Sequence, residues 1–255
     1  MQRFPVVTRK TSDRDVPVQL ARAMVQAGLG PGFHFAGNVT LAARPLRVAV
    51  IGSRQAGTNS LAAVEALSVN LASAGATIVS GAAYGTDMVA HRGALAAGGS
   101  TIAVLPMAIS QGGGERLAGL VSTLRDDQLL LMISPFSTTQ GITRSTPVIR
   151  NRLIAALADV VVVGEAHASS GTFHCVRAAV DMGLPLFLLR DRALHRDGAL
   201  EEIHAPLIQK GARSFTIDEA FDPSFPTVVR DVATRAGRDR HEAERSQLSL
   251  FGDHD

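Results

Sequence analysis

Short, unbroken apolar runs recur between longer alanine-rich stretches, and this alternation constrains the chain more than anything else in it. The runs are Arg47–Ile51, Thr77–Ser80, Thr101–Leu105, Leu129–Ser134, Val160–Gly164 and Leu186–Leu189. Between them lie segments with helical character: Asn59–Ala74, closed by Gly75; Asp87–Ala97, ended by Gly98 and Gly99; a stretch around Glu115–Leu124; Arg150–Ala158; and Thr172–Met182. A strand that is apolar at every position is buried on both faces, and strand–helix alternation of this kind builds a parallel sheet covered on both sides. We therefore expect an α/β fold: a Rossmann-like, doubly wound, mostly parallel sheet with helices on both faces. Ligands of such sheets bind at the carboxyl ends of the strands, beside helix N-termini.

Three zones are expected. Residues 1–44 form an N-terminal extension in which Val16–Ala27 reads as an amphipathic helix broken by Gly28–Gly32. Residues 45–214 form the body. Residues 215–255 form a charged linker, Arg230–Arg245, followed by a short apolar tip. Of the 255 residues 46% are hydrophobic and 19% charged, which excludes a disordered chain. The formal net charge is only +2, so any nucleic-acid site must come from locally clustered arginines. A single cysteine, Cys175, excludes an intramolecular disulfide framework and a Cys-rich zinc module. The first residues carry no apolar leader core, and no apolar run approaches the roughly 18 residues of a membrane span. The expectation is a cytoplasmic protein without membrane contact. With no Trp and one Tyr, base stacking would rely on Phe, His or Arg.

Four stretches carry possible chemistry. Gly52-Ser53-Arg54 ends the first of these strands and offers close backbone approach, a hydroxyl and a guanidinium fork to a phosphate, although the full dinucleotide-binding glycine pattern is missing. Ser80-Gly81 through Gly85-Thr86-Asp87 ends the second, with Thr86 or Asp87 as helix cap. Asp87 and His91, four apart, share a helix face, and with Ser80 they give a hydrolase reading set against a structural one. Arg144, Arg150 and Arg152, with Asn151, form the clearest positive patch, set against helix-start salt bridges. Glu165 ends a later strand, and Ser169, Ser170, Gly171 and Thr172 suit either helix capping or phosphate binding. His167, His174 and Cys175 lack the company of a metal site. No metal and no cofactor is expected.

The ordered set of motifs resembles the DprA/Smf family of DNA-processing proteins. The matching stretches are Val48–Arg54, Ile78–Gly81 with Gly85–Asp87 and Ala90-His91, then Gly93–Leu95 with Gly98–Leu105. Arg150–Ile154 with Leu157 and Glu165 follow, then Ser170–Thr172, and finally Leu207-Ile208 with Gly211-Ala212. The resemblance spans residues 30–214. It implies a single-stranded-DNA-binding, dimeric recombination mediator that loads a RecA-type recombinase during DNA uptake, with a Rossmann-like core and no established catalysis. By position, Gly52, Ser53 and Arg54 match the family's phosphate turn, and Arg150 and Arg152 the arginines of its DNA pocket. Four positions depart: Tyr84 stands where an Arg is usual, Pro147 where an aromatic is usual, Ser134-Pro135 where Ser-Glu is usual, and Arg190-Asp191 where Pro-Gly is usual. No winged-helix domain fits after residue 214.

The tip Gln247-Leu248-Ser249-Leu250-Phe251 resembles the bacterial sliding-clamp-binding pentapeptide at every position, with Gln as hydrogen-bonding group and three apolar anchors. The alternative is a tail docked on its own core. The leading expectation is thus a non-enzymatic, single-stranded-DNA-binding mediator tethered to the clamp. Two alternatives stand beside it. One is a nucleotide-binding enzyme or sensor cleaving the N-glycosidic bond, with Glu165 as acid/base. The other is a clamp-binding adaptor without DNA binding.

Overall fold

The computed structural model describes residues 4–110, 117–124, 126–166, 171–190 and 199–250. The described residues form nine strands in one sheet: β1 (Val7–Lys10), β2 (Gly32–Gly37), β3 (Arg47–Ile51), β4 (Thr77–Ser80), β5 (Thr101–Val104), β6 (Leu130–Ser134), β7 (Val160–Val163), β8 (Leu186–Arg190) and β9 (Arg213–Thr216). The order is β1-β2-β6-β5-β4-β3-β7-β8-β9. Every pairing from β6 across to β9 is parallel, while β2 joins β6 and β1 joins β2 antiparallel. This is the Rossmann-like, doubly wound sheet expected from the apolar runs.

Among the described residues the α-helices are α1 (Val18–Gln26), α2 (Thr58–Ser73), α3 (Thr86–Ala96), α4 (Ala118–Thr123), α5 (Thr146–Leu157), α6 (Thr172–Asp181), α7 (Ala199–Gln209), α8 (Ile217–Phe221) and α9 (Phe225–Leu250). Strand side chains alternate between faces, and in β3 each face meets a different core. Ala49 and Ile51 join the cluster built with α1, α5 and α6, whereas Val48 and Val50 join the one built with α2, α3 and α9. Both valines are fully buried, worth about 1.5–3 kcal/mol apiece. Demand for apolar contact on both sides is what makes these strands continuous apolar runs.

The described segments before β3 and after β9 are built into this frame. Leu20, Met24 and Phe33 are fully or almost fully buried, in the same core as α5, and β1 and β2 lengthen the sheet. At the other end Thr216 and Glu219 form a reciprocal capping box on α8. Phe225, Val229 and Ala233, at helical spacing, bury the first turns of α9. The Phe225 ring lies 5.7 Å from Phe187 and 5.3 Å from Phe215. The run Arg230–Arg245 continues as helix backbone. Gln247, Leu248, Ser249 and Leu250 fall on the last turns of that backbone, and Phe251 lies outside the described residues. Among the described residues no helix is long and apolar enough to cross a membrane.

Candidate functional site

The strand order reverses between β3 and β7. The helix after β3 packs on one face of the sheet and the helix after β7 on the other, so a crevice opens beyond their carboxyl ends. It holds a cavity of about 480 Å³. The turn Gly52–Gln55, Ala83 and Asp87 of the β4–α3 segment, Pro147, Arg150, Asn151 and Ile154 of α5, and Gly171, Thr172 and Cys175 at the head of α6 line it.

The β3–α2 turn is held from several sides. Glu165 binds it twice: the Ser53 N–H donates to the Glu165 carbonyl at 2.6 Å, and the Gly57 N–H donates to the Glu165 carboxylate at 2.7 Å. Thr86 donates from its N–H and its hydroxyl to the Ser53 carbonyl at 3.2 and 3.1 Å. Thr172 donates its hydroxyl to the Gly52 carbonyl at 2.9 Å. A side chain at Gly52 would put its Cβ 2.5 Å from the Thr86 hydroxyl. Gly85 has φ +76° and lies against the carbonyls of Ser53 and Arg54, where a Cβ would stand 2.6 Å from each. Only glycine meets both demands. Gly85 is also the N-cap of α3, so neither Thr86 nor Asp87 takes the capping role expected of them. Arg54 stands within this fixed turn and lines the cavity. It is exposed and makes no hydrogen bond or ion pair with the described residues.

Beneath the turn lies a buried polar floor. Arg150 is 4% exposed and donates to the carbonyls of Gly81 and Val104, the latter at 2.6 Å. Gly81 leaves room for it, since a Cβ there would collide with the guanidinium and stand 2.7 Å from the Asp87 carboxylate. Burial pushes the Asp87 carboxyl above its ordinary range, and the Arg150 charge opposes that rise. His91 is fully buried, its Nδ1 2.7 Å from the Thr101 hydroxyl, which itself donates to the Ile78 carbonyl at 2.8 Å. Nδ1–H is therefore the donor. Burial, aided by the Arg150 charge, lowers the imidazole to about 3, and burial pushes the Cys175 thiol up to about 12. Ser80 donates its hydroxyl to the Val50 carbonyl at 2.6 Å. The Ser80–His91–Asp87 triad is thus not assembled: Ser80 and Asp87 are hydrogen-bonding neighbours, but the Ser80 hydroxyl also reaches the Val50 carbonyl, and the Asp87–His91 pair expected on one helix face is replaced by His91–Thr101.

Of the residues singled out in the sequence, the crevice gathers Gly52, Ser53, Arg54, Arg150, Asn151, Gly171 and Thr172. Asn151 bridges α5 and α6, its amide donating to the Gly171 carbonyl at 2.9 Å. Ser80, Gly81 and Gly85 shape the walls from behind. Arg152 is placed elsewhere. Two positions along a helix do not share a face, and its exposed guanidinium lies over Gly28 at the end of α1, 3.2 Å from where a Cβ would stand. Arg144 is exposed on the loop before α5 and does not line the cavity. Ser169 and Ser170 lie outside the described residues. The double hold of Glu165 on the turn and the inward place of Asp87 were not read from sequence. An acid at a strand end beside the order reversal was the available signal.

The family model for DNA recombination-mediator protein A matches residues 9–222. The chain belongs to this mediator family. It is 33% identical over 182 residues to the DNA processing protein DprA of Streptococcus pneumoniae, covering 71% of this chain and 62% of that one. It is 33% identical over 159 residues to the Smf protein of Escherichia coli, covering 62% of this chain and 42% of that one. The chain therefore spans less than two thirds of either mediator-family relative. Among solved structures, the Helicobacter pylori DprA, described for its single-stranded DNA binding mode, superposes with a TM-score of 0.69 at 27% identity over 90% of this chain and 98% of that one. The pneumococcal DprA crystal structure gives 0.67 at 27% identity over 84% and 71%. A molybdenum cofactor binding protein of Rippkaea orientalis, at 0.51 and 21% identity over 74% and 96%, shares the fold alone.

Proposed function

We propose that this chain is a single-stranded-DNA-binding recombination mediator of the DprA type, acting without catalysis. The observation that carries the reading is the Arg54 turn. An exposed guanidinium stands on a backbone fixed by Glu165, Thr86 and Thr172, between the N-termini of α2, α3 and α6. Guanidinium, turn N–H groups and helix N-termini together favour an anion of phosphate type. The H. pylori relative, similar across nearly its whole length, is described as binding single-stranded DNA. Glu165 supports the non-enzymatic side, because its buried carboxylate is engaged by Gly57 as a positioning group. Family membership further supports a cytoplasmic homodimer that hands DNA to a RecA-type recombinase. The Gln247–Phe251 tail supports a tether to the sliding clamp; deleting it should abolish capture by purified clamp and leave DNA affinity unchanged.

The test is fluorescence anisotropy of a labelled oligothymidylate, titrated at several salt concentrations with wild type, Arg54→Ala and Arg152→Ala. Salt-sensitive binding that Arg54→Ala weakens and Arg152→Ala preserves is expected. Absence of binding by the wild type at low salt would overturn the reading.

A further inference from the structure

Among the described residues three aromatic side chains are strongly exposed: Tyr84, Phe173 and Phe221. Aromatic residues make up 4% of the chain, and five of those described, Phe33, Phe35, Phe187, Phe215 and Phe225, are buried in its core. Two of the three sit on the segments that follow β4 and β7, the strands on either side of β3 and its Arg54 turn. Tyr84 is 73% exposed, between Ala83, which lines the cavity, and Gly85, which lies against the Arg54 carbonyl. Phe173 is 42% exposed, in the first turn of α6 beside Thr172, whose hydroxyl holds the Gly52 carbonyl. Helical side chains lean toward the helix N-terminus, so Phe173 leans toward Gly171, which lines the cavity. Burying either ring on this chain's own core would have recovered apolar area. The fold leaves both exposed, one on each side of the turn that carries Arg54.

We propose that Tyr84 and Phe173 are stacking platforms for unpaired nucleobases, so that the mouth binds single-stranded DNA through bases as well as phosphates. This rests on the reading of the crevice as a single-stranded DNA site. Arg54 supplies the charge that holds the backbone, and a ring on each side offers its face to the bases of that strand. Stacking accepts any base and requires that base to be unpaired, so it selects single strands without selecting sequence. The ligand class follows from the combination. A free nucleotide would need one ring and one phosphate subsite, whereas two rings straddling one arginine suit a strand that passes through. The composition had pointed to Phe, His or Arg for such contacts. The sole tyrosine, itself exposed, joins Phe173 in that role.

The same tyrosine supplies the assay. With no Trp and one Tyr in the sequence, the intrinsic emission of the full chain reports Tyr84 alone. An oligothymidylate and an abasic oligonucleotide of equal length, carrying equal charge without bases, are titrated while tyrosine emission, corrected for inner-filter absorption, and anisotropy of a labelled strand are both recorded. The oligothymidylate is expected to quench the emission and to bind more tightly than the abasic strand. Tyr84→Ala and Phe173→Ala are each expected to weaken oligothymidylate binding by about fivefold or more, the cost of one lost stack, and to leave abasic binding and its salt dependence unchanged. Tyr84→Phe should restore affinity. Both side chains are exposed, and a thermal melt of each variant checks that the fold is kept. Equal affinity of wild type for the two strands, or unchanged oligothymidylate affinity in both alanine variants, overturns the stacking proposal while leaving the phosphate site standing. Failure of wild type to bind either strand overturns the DNA reading itself.

Discussion

Replacing Arg150 by methionine separates a structural arginine from a ligand-binding one. The guanidinium is 4% exposed, donates to the carbonyls of Gly81 and Val104, and supplies the positive charge beside the buried Asp87 carboxyl. Methionine fills much of the volume but leaves two carbonyls without this donor and Asp87 without its countercharge. Breaking a buried charge pair from one side costs about 3–5 kcal/mol. For a chain of this length, where 1 kcal/mol moves the melting temperature about 2–4 °C, the variant should melt about 6–20 °C lower. The loss should depend on pH. Burial already raises the folded-state pKa of Asp87 against the opposing Arg150 charge. A raised carboxyl stabilises the fold when protonated, and that contribution disappears as the pH rises through the folded pKa. Without Arg150 the carboxyl rises further, so the deficit should be largest near neutrality and shrink as the medium is acidified into the carboxylate range. Circular dichroism melts across a pH series, with oligothymidylate anisotropy alongside, check both. An Arg150→Met protein that melts with wild type and has lost DNA affinity would refute the argument, because the guanidinium would then be available to ligand.

Three further outcomes follow from the same geometry. Arg54→Ala should melt with wild type yet lower the slope of log K against log salt by about 0.7, the contribution of one phosphate contact on a single strand, as measured by salt-titrated anisotropy. Gly85→Ala must place a Cβ 2.6 Å from two carbonyls at φ +76°; a loss of about 1–3 kcal/mol by urea denaturation, together with weakened binding, is expected as the turn is pushed off its supports. Cys175, its thiol pushed up to about 12 by burial, should resist alkylation in the native protein at mildly alkaline pH and react promptly once unfolded, followed by mass spectrometry.

The sheet was legible because its central strands announce themselves. Arg47–Ile51 and Thr77–Ser80 have no polar face to confuse the pattern, and the structure places both elements at those residues. The edges were silent for the opposite reason. Val7–Lys10 alternates between half-buried and exposed positions, and Arg213–Thr216 buries only Phe215, so neither forms an apolar run. Helix α5 begins at Thr146 rather than Arg150, since a proline in the first turn gives up no hydrogen bond the helix needs. The site was legible in its turns, where glycine and hydroxyl residues are forced by close approach. It was not legible in its arginines. Arg150 and Arg152 read as one positive patch along the chain, but on a helix they diverge, one into the floor and one over Gly28.

The grip of Glu165 on the β3–α2 turn bears on how fast a partner arrives and leaves. A turn already fixed through two of its N–H groups by one residue has little ordering left to do when an anion arrives. Encounter is then limited by diffusion and by the pull of Arg54 rather than by a waiting time for the loop to close. Differences between ligands should accordingly be written into their residence times, with arrival rates nearly alike. Loosening the grip, as in Glu165→Gln, should add a slow step to association that the native crevice does not have.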